Sequence, residues 1–360
     1  MMGVGSMERK TKLINFNELR PGMVIAKNVE QGRQILLKKD FAITNSAIQK
    51  LKRTLFLDRI EVYDDMVTNE DKIERKKIKE YEKIDEDFKE ISTRLQRTFR
   101  LITNPTGSTL NELKEFSERI QNEMRPSSMI IKNIVLQGSG EDSIYRHGVN
   151  VAALSALIGK WIGMEPKDIN RLIYSAILHD FGKTKIDKEI LKKNGALTTS
   201  EFEVIKTHTT LGYKMLKDVS YLDKSVLYGV VMHHEREDGS GYPLSLKGEA
   251  IHQFGKIIAI ADVFDAINSN RGYKKKKPPF EALQIVKNES LGKLNYEYSK
   301  VFIEHIVNYY LGEEAIINSG ERCKIIQMNV NNLEKPLILK KNEFIELTKE
   351  KNLYIEELVL

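Results

Sequence analysis

Two adjacent histidines, His233 and His234, close an apolar helical run (Val226, Leu227, Val230, Val231) and open the charged loop Glu235-Arg236-Glu237-Asp238-Gly239-Ser240-Gly241-Tyr242-Pro243. The loop's glycines give it backbone angles closed to other residues. Upstream, His179-Asp180 ends a second helical run through Leu172, Ile173, Ala176 and Ile177. On a helix His179 continues the face of Leu172 and Ala176, so its imidazole turns inward, where it needs a cation or a full set of hydrogen bonds. His147, His208 and Asp262 fall in three further segments with apolar neighbours at helical spacing. Only His252 and His305 of the seven histidines lie elsewhere, a concentration that a surface scatter would not produce. Bringing such residues together takes several rigid helices, each projecting one or two side chains inward, and so predicts a mainly α protein built on a bundle.

A chain of 360 residues exceeds one typical core, and four regions are expected. Residues 1–65 form a β-rich module: a turn at Pro21-Gly22, strands at 24–26, 35–37 and 59–63, and a short helix at 45–51. Residues 66–124 form a helical linker in which Tyr81, Ile84, Phe88, Ile91 and Leu95 keep a three-four spacing. That stripe suits a helix packed on a neighbouring domain or the seam of a homodimer. Residues 125–320 are helical, near 143–162, 167–181, 199–217, 223–235, 253–268, 279–290 and 297–311, separated by Gly, Pro, Asn or Asp. Residues 321–360 are a short β-containing extension with strands at 324–326, 336–339 and 358–360.

Hydrophobic residues at 41% and charged residues at 30% read as soluble and globular. No apolar run reaches the roughly 20 residues of a membrane helix, and the N-terminus lacks a signal peptide's apolar core, so a cytoplasmic protein with no membrane partner is expected. Cys323, the single cysteine, allows neither an intrachain disulfide nor a thiolate zinc ribbon, which leaves nitrogen and oxygen to hold any metal. The net charge of +6 admits anionic ligands, but mixed signs and the lack of a zinc-finger or RNA-recognition motif argue against a nucleic-acid polymer.

Imidazoles and carboxylates without thiolates suit iron, manganese, nickel or zinc without selecting among them. An adjacent His-Asp adds a carboxylate with two oxygens, able to bridge two metals. A metal pair about 3.5–4 Å apart can hold a hydroxide for in-line displacement at phosphorus, which is phosphodiester hydrolysis.

His147, His179-Asp180 with Gly182-Lys183, His208, His233-His234-Glu235, the Asp238-to-Pro243 run and Asp262 together resemble the HD-GYP family of metal-dependent cyclic dinucleotide phosphodiesterases, over about residues 125–320. The resemblance implies an HD-type helical bundle that hydrolyses cyclic di-GMP to the linear dinucleotide or GMP with two divalent ions, iron or manganese before nickel or zinc. His147, His179, Asp180 and Asp262 would hold one ion. Asp180, His208 and His233 would hold the other, with His234 next to it. Lys183 would face the scissile phosphate and share the catalytic role with Asp180. Tyr242 would stack on a guanine, Asp265 would touch a guanine edge or a metal-bound water, and Arg271 and Lys274 would bind phosphate. Ser143 stands where some members carry a glutamate for a third metal, which predicts two ions. Gly272 replaces a common proline and loosens the phosphate loop. Two other readings stay open: a receptor that binds the dinucleotide without cutting it and signals through the Gly-Tyr-Pro loop, and a phosphodiesterase for a mixed GMP-AMP dinucleotide. Protein partners would meet that loop or the N-terminal module.

Overall fold

The apolar stripe at Tyr81, Ile84, Phe88, Ile91 and Leu95 lies on one long helix, α1 (Asn69–Leu101). All five side chains are 0–5% exposed within the chain's own hydrophobic core. The stripe is therefore not available as a dimer seam, because the intramolecular bundle already covers it. The computed structural model describes residues 11–15, 18–20, 23–31, 34–37, 39–40, 43, 48, 59–63, 69–102, 107–123, 126–139, 144–193, 195–269, 278–329 and 331–359. By internal packing the chain divides into two units, Met1–Lys79 and Glu80–Leu360.

In the first unit, β1 (Thr11–Asn15) pairs antiparallel with β4 (Arg59–Tyr63), and β2 (Val29–Gln31) with β3 (Gln34–Leu37). Residues 24–26, expected as a strand, form no extended strand but bridge to β4, through Ile25–Val62 and the bonds from Ala26 N to Glu61 O and from Tyr63 N to Val24 O. Ile14, Ile25, Ile43, Ile60 and Val62 close a small core of their own. The Pro21-Gly22 turn and, apart from residue 48, the helix at 45–51 lie outside the described residues.

The second unit is the expected helical bundle. After α1 come α2 (Gly107–Glu118), α3 (Ser127–Gln137), α4 (Ile144–Trp161) and α5 (Pro166–Leu178), the last opening on a proline whose missing N–H costs a helix start nothing. A 3-10 turn (Phe181–Lys185) and short α6 (Lys188–Leu191) lead to α7 (Thr199–Lys206), α8 (His208–Leu216) and α9 (Lys224–Met232). A capping box of Thr198 and Glu201 starts α7, and Asp223 caps α9. Then follow α10 (Gln253–Asn268), α11 (Pro279–Glu289) and α12 (Tyr296–Tyr310).

Where one helix was expected at 199–217 there are two. The hydroxyls of Thr207, Thr209 and Thr210 bond back to Val204, Lys206 and Thr207 carbonyls, competing with the helical ladder at the break. Gly229 brings α9 against α5: a Cβ there would stand 2.0 Å from Ser175 Oγ, which itself donates to Val226 O at 2.8 Å. That close approach sets the ends of α5 and α9 side by side.

The C-terminal β-segment is a five-stranded antiparallel sheet, ordered β8-β7-β6-β5-β9, from β5 (Glu314–Ile317), β6 (Arg322–Gln327), β7 (Leu337–Lys340), β8 (Glu343–Glu346) and β9 (Ile355–Leu358). Ala315, Ile317, Ile325, Ile338 and Ile355 join the core that holds the helices. β5 and β8 were not anticipated, and the last strand ends at Leu358. Among the described residues no helix is long and apolar enough to cross a membrane.

Candidate metal centre

A helix leaves its last carbonyls without N–H partners, and this bundle meets three of them with histidines. His179 follows α5 and its Nδ1 lies 2.7 Å from Ala176 O. His208 follows the break after α7, with Nδ1 2.7 Å from Ile205 O. His233 follows α9, with Nδ1 2.8 Å from Val230 O. A carbonyl oxygen only accepts, so each Nδ1 carries the hydrogen and each Nε2 is left as a bare lone pair. All three rings are fully buried. One local device, repeated at three helix ends, fixes tautomer and aim together.

His147 is held differently. It sits in the first turns of α4, and its Nδ1 lies 2.7 Å from Asp265 Oδ2 on α10. Asp265 is fully buried and also accepts from Asn150 Nδ2 and Ser139 Oγ, both at 2.7 Å. Expected to touch a guanine edge or a metal-bound water, it stands instead behind a histidine, because His147, Asn150 and Ser139 engage its oxygens inside the bundle.

Asp180 joins the two halves. Its Oδ2 is 3.5 Å from His179 Nε2 and 3.7 Å from His147 Nε2, while Oδ1 is 3.3 Å from His208 Nε2. Two ligand groups result, His147–His179–Asp180 and Asp180–His208–His233–His234, each offering one ligand atom per residue within 4.8 Å of the others. Asp262 Oδ1 lies 3.0 Å from His147 Nε2 and its Oδ2 3.9 Å from His234 Nδ1.

The donor set fits cations on three grounds. His179 Nε2 and Asp180 Oδ1 are buried without a hydrogen-bond partner, and His147 Nε2 is faced only by the Asp262 carboxylate, 3.0 Å away. His208 Nε2 and His233 Nε2, both bare by the tautomer argument, face each other at 3.3 Å, where two lone pairs repel unless a positive charge lies beside them. The protonation states agree. Burial drives His179 and His233 below the ordinary imidazole range and His208 down to about 4, leaving neutral ligands. Burial alone would raise the Asp180 carboxyl, but Lys183 and the surrounding imidazoles outweigh it and hold Asp180 well below the usual carboxylate range. Burial also lowers His147, yet Asp262 and Asp265 more than offset it and bring the ring up to about 9. The two carboxylates thus favour a positive charge at His147, the charge that a bound metal would supply there.

Lys183, on the 3-10 turn, donates from Nζ to Asp180 Oδ2 at 2.6 Å and keeps 18% side-chain exposure at the rim. Tyr242 stacks on His234, ring centroids 4.7 Å apart at 30°, with Lys206 Nζ 5.7 Å from its centroid. The loop reaches that place by folding back on the end of α9. Gly241 is pressed so closely that a Cβ would stand 2.4 Å from Arg236 N, and Tyr242 N donates to His234 O at 3.2 Å. Glu235, 2% exposed, holds the far side by accepting Leu244 N at 2.7 Å and Leu246 N at 2.9 Å. Arg271, Gly272, Lys274 and Ser143 lie outside the described residues.

Glu235, Asn150 and Ser139 had no role assigned from sequence. A carboxylate just after the histidine pair, ahead of a Gly-rich turn, was the one available signal for Glu235. Its removal has a local readout: in Glu235→Ala, hydrogen exchange at the Leu244 and Leu246 amides is expected to quicken at least about tenfold, since each bond to a charged acceptor contributes about 1.5–3 kcal/mol. Unchanged protection at both amides would show that the loop is held by something else.

A helical bundle whose helix ends converge bare imidazoles on a shared carboxylate defines an α protein with a cluster able to hold metal ions. Residues 112–295, which hold every ligand named above, match the model of the HD domain, and the chain belongs to the HD domain family. A cyclic di-GMP phosphodiesterase of Thermotoga maritima is 41% identical over 164 residues, covering 44% of this chain and 43% of that protein. The 3'3'-cGAMP-specific phosphodiesterase 1 of Vibrio cholerae is 33% identical over 189 residues, covering 52% of this chain and 43% of that protein. The chain thus spans less than half the length of these two relatives. An HDG"Y"P protein from Bdellovibrio bacteriovorus shares the fold, with a TM-score of 0.53 at 18% identity over 82% of this chain and 99% of that one.

Proposed function

We propose that this protein is a cyclic dinucleotide phosphodiesterase using two divalent ions, iron or manganese, with cyclic di-GMP as substrate and the linear dinucleotide or GMP as product. The observation that carries the proposal is Asp180, whose two oxygens face two separate imidazole sets. His147, His179, Asp180 and Asp262 would hold one ion, and Asp180, His208 and His233 the other, with His234 beside it. When bound, such a pair neutralises charge on phosphoryl oxygens and acidifies water. The names of the relatives, which act on guanine-containing cyclic dinucleotides, support the substrate class.

The chain's own groups have distinct parts in this reading. The Lys183 ammonium, held 2.6 Å from Asp180, offsets negative charge growing on a phosphoryl oxygen. Tyr242, stacked on His234, would contribute its aromatic ring to the binding of a purine. Arg271 and Lys274 supply cations for the phosphates. Lys183→Ala is expected to lower kcat about 100-fold while the metal content stays at the wild-type value. A variant with normal kcat would remove Lys183 from the reaction.

The deciding experiment is turnover of cyclic di-GMP, and separately of 3'3'-cGAMP, by protein reconstituted anaerobically with iron or manganese, with metal counted in the same sample. Loss of substrate at two ions per chain supports the phosphodiesterase, and the ratio of the two rates identifies the preferred base. Two ions and bound nucleotide without turnover would make the protein a receptor.

A further inference from the structure

The hydrogen bonds behind His147 do not stop at Asp265. Asn150, which donates to Asp265 Oδ1, accepts on its own Oδ1 from Arg146 Nε at 3.1 Å. The Arg146 guanidinium, 8% exposed, donates from Nη2 to Asn133 Oδ1 on α3 at 2.5 Å and lies 3.6 Å from Asp85 Oδ1 on α1. Asn133, fully buried, donates from Nδ2 to the same Asp85 oxygen at 3.1 Å. The Phe88 ring, one turn further along α1, lies 4.6 Å from the guanidinium carbon. A continuous polar path therefore runs from α1 through α3 and α4 to α10 and ends on a metal ligand.

Buried networks of this kind have few alternative arrangements, because each change strands a donor or acceptor away from water. The charges are ordered along the path as well: Arg146 lies between the carboxylates of Asp85 and Asp265, bonded to Asn150 on the Asp265 side. Without Asp85 the guanidinium loses the charge that draws it toward α1. Asn150 and Asp265 must then readjust, and with them the bond that aims the His147 ring. The other Asp85 oxygen pairs with Lys89, 70% exposed, at 2.6 Å, so the end of the path on α1 reaches the surface.

We propose that Asp85 is a positioning residue for the metal ligand His147, acting through Asn133, Arg146, Asn150 and Asp265. The proposal rests on the two-ion reading of the centre. It makes the helix that leads in sequence out of the N-terminal unit part of what sets metal affinity on the His147 side, while the side built on His208 and His233, anchored to backbone carbonyls, is independent of it.

The test is titration of the metal-stripped full chain with Mn2+ alone, free Mn2+ being read by electron paramagnetic resonance. In Asp85→Ala one of two sites is expected to weaken about tenfold or more, the usual cost of losing an outer partner, with the other within about twofold of wild type. Asp85→Asn, which keeps an acceptor for Asn133, is expected to weaken that site less than Asp85→Ala does. Lys89→Ala is expected to leave both sites unchanged. Wild-type affinities in Asp85→Ala would overturn the proposal. So would equal weakening of both sites with a lowered thermal midpoint, the mark of a merely structural role. The two readings fail separately: fewer than two ions on the wild-type chain sinks the two-ion reading, whereas an unchanged Asp85→Ala titration sinks the role of Asp85.

Discussion

In His179→Ala, metal affinity is expected to fall by more than about 100-fold, beyond the 10–100-fold that loss of an outer partner costs. Turnover of the cyclic dinucleotide is expected to fall with it. The ring is fully buried, its Nδ1 held by Ala176 O and its Nε2 without a partner in the protein. Its removal therefore takes away a donor that has no other use. For the same reason the metal-free variant is expected to stay helical, since the deletion opens a cavity but also relieves an unsatisfied polar atom. The contrast appears on adding metal. At 100 times the dissociation constant of the His147–His179 site, wild-type protein gains about 2.7 kcal/mol of stability from that site, seen as a higher thermal midpoint, whereas His179→Ala gains about 0.4 kcal/mol or less from it. A variant that keeps both the midpoint shift and the turnover would refute the ligand assignment.

Gly182→Ala is expected to be nearly as damaging, although no ligand changes. A Cβ on Gly182 would stand 1.9 Å from His208 O and 2.6 Å from Gly212 N, both backbone atoms that cannot turn aside. The 3-10 turn carrying Lys183 and the start of α8 would have to separate by more than an ångström. That motion stretches the 3.3 Å approach of Asp180 Oδ1 to His208 Nε2, on which the proposed second ion depends. Overpacking of this kind costs about 1–3 kcal/mol, so a lowered thermal midpoint and loss of one ion per chain are expected together. Gly292→Ala is the control, because nothing lies within 4 Å of its added Cβ and its backbone angles suit any residue. Equal midpoints and metal counts in the two variants would show that the close packing at Gly182 is not needed.

The proposed ligands stand out in the sequence because their chemistry conflicts with their surroundings. A histidine on the apolar face of a helix, as at His179, has to be explained by a partner, and that conflict is visible in one dimension. Asp265 shows the limit. It is one helical turn from Asp262, and nothing in the spacing tells which of the two carboxylates faces the cleft and which faces Asn150 and Ser139. The stripe on α1 shows another. Its period demands an apolar partner but is the same whether that partner is a second copy or this chain's own bundle, and burial against the bundle decided it. The break at Thr207 escaped notice because apolar periodicity does not register hydroxyls competing for helix carbonyls. Strand β8 buries none of its side chains, so no apolar alternation marks it, and β5 follows the end of α12 too closely to be told from the helical pattern.

By itself the sequence determined the bundle, the helix ends that carry imidazoles and the lack of a cysteine pair, since residue type and helical spacing are local properties of the chain. Tertiary structure alone decided that Asp180 turns one oxygen to each set of imidazoles. It also decided that Asp265 stands behind His147 and that Glu235 ties down the loop. Each of these depends on the direction of a side chain relative to helices distant in sequence, and the packing of Gly182 on α8 and Gly229 on α5 sets those directions.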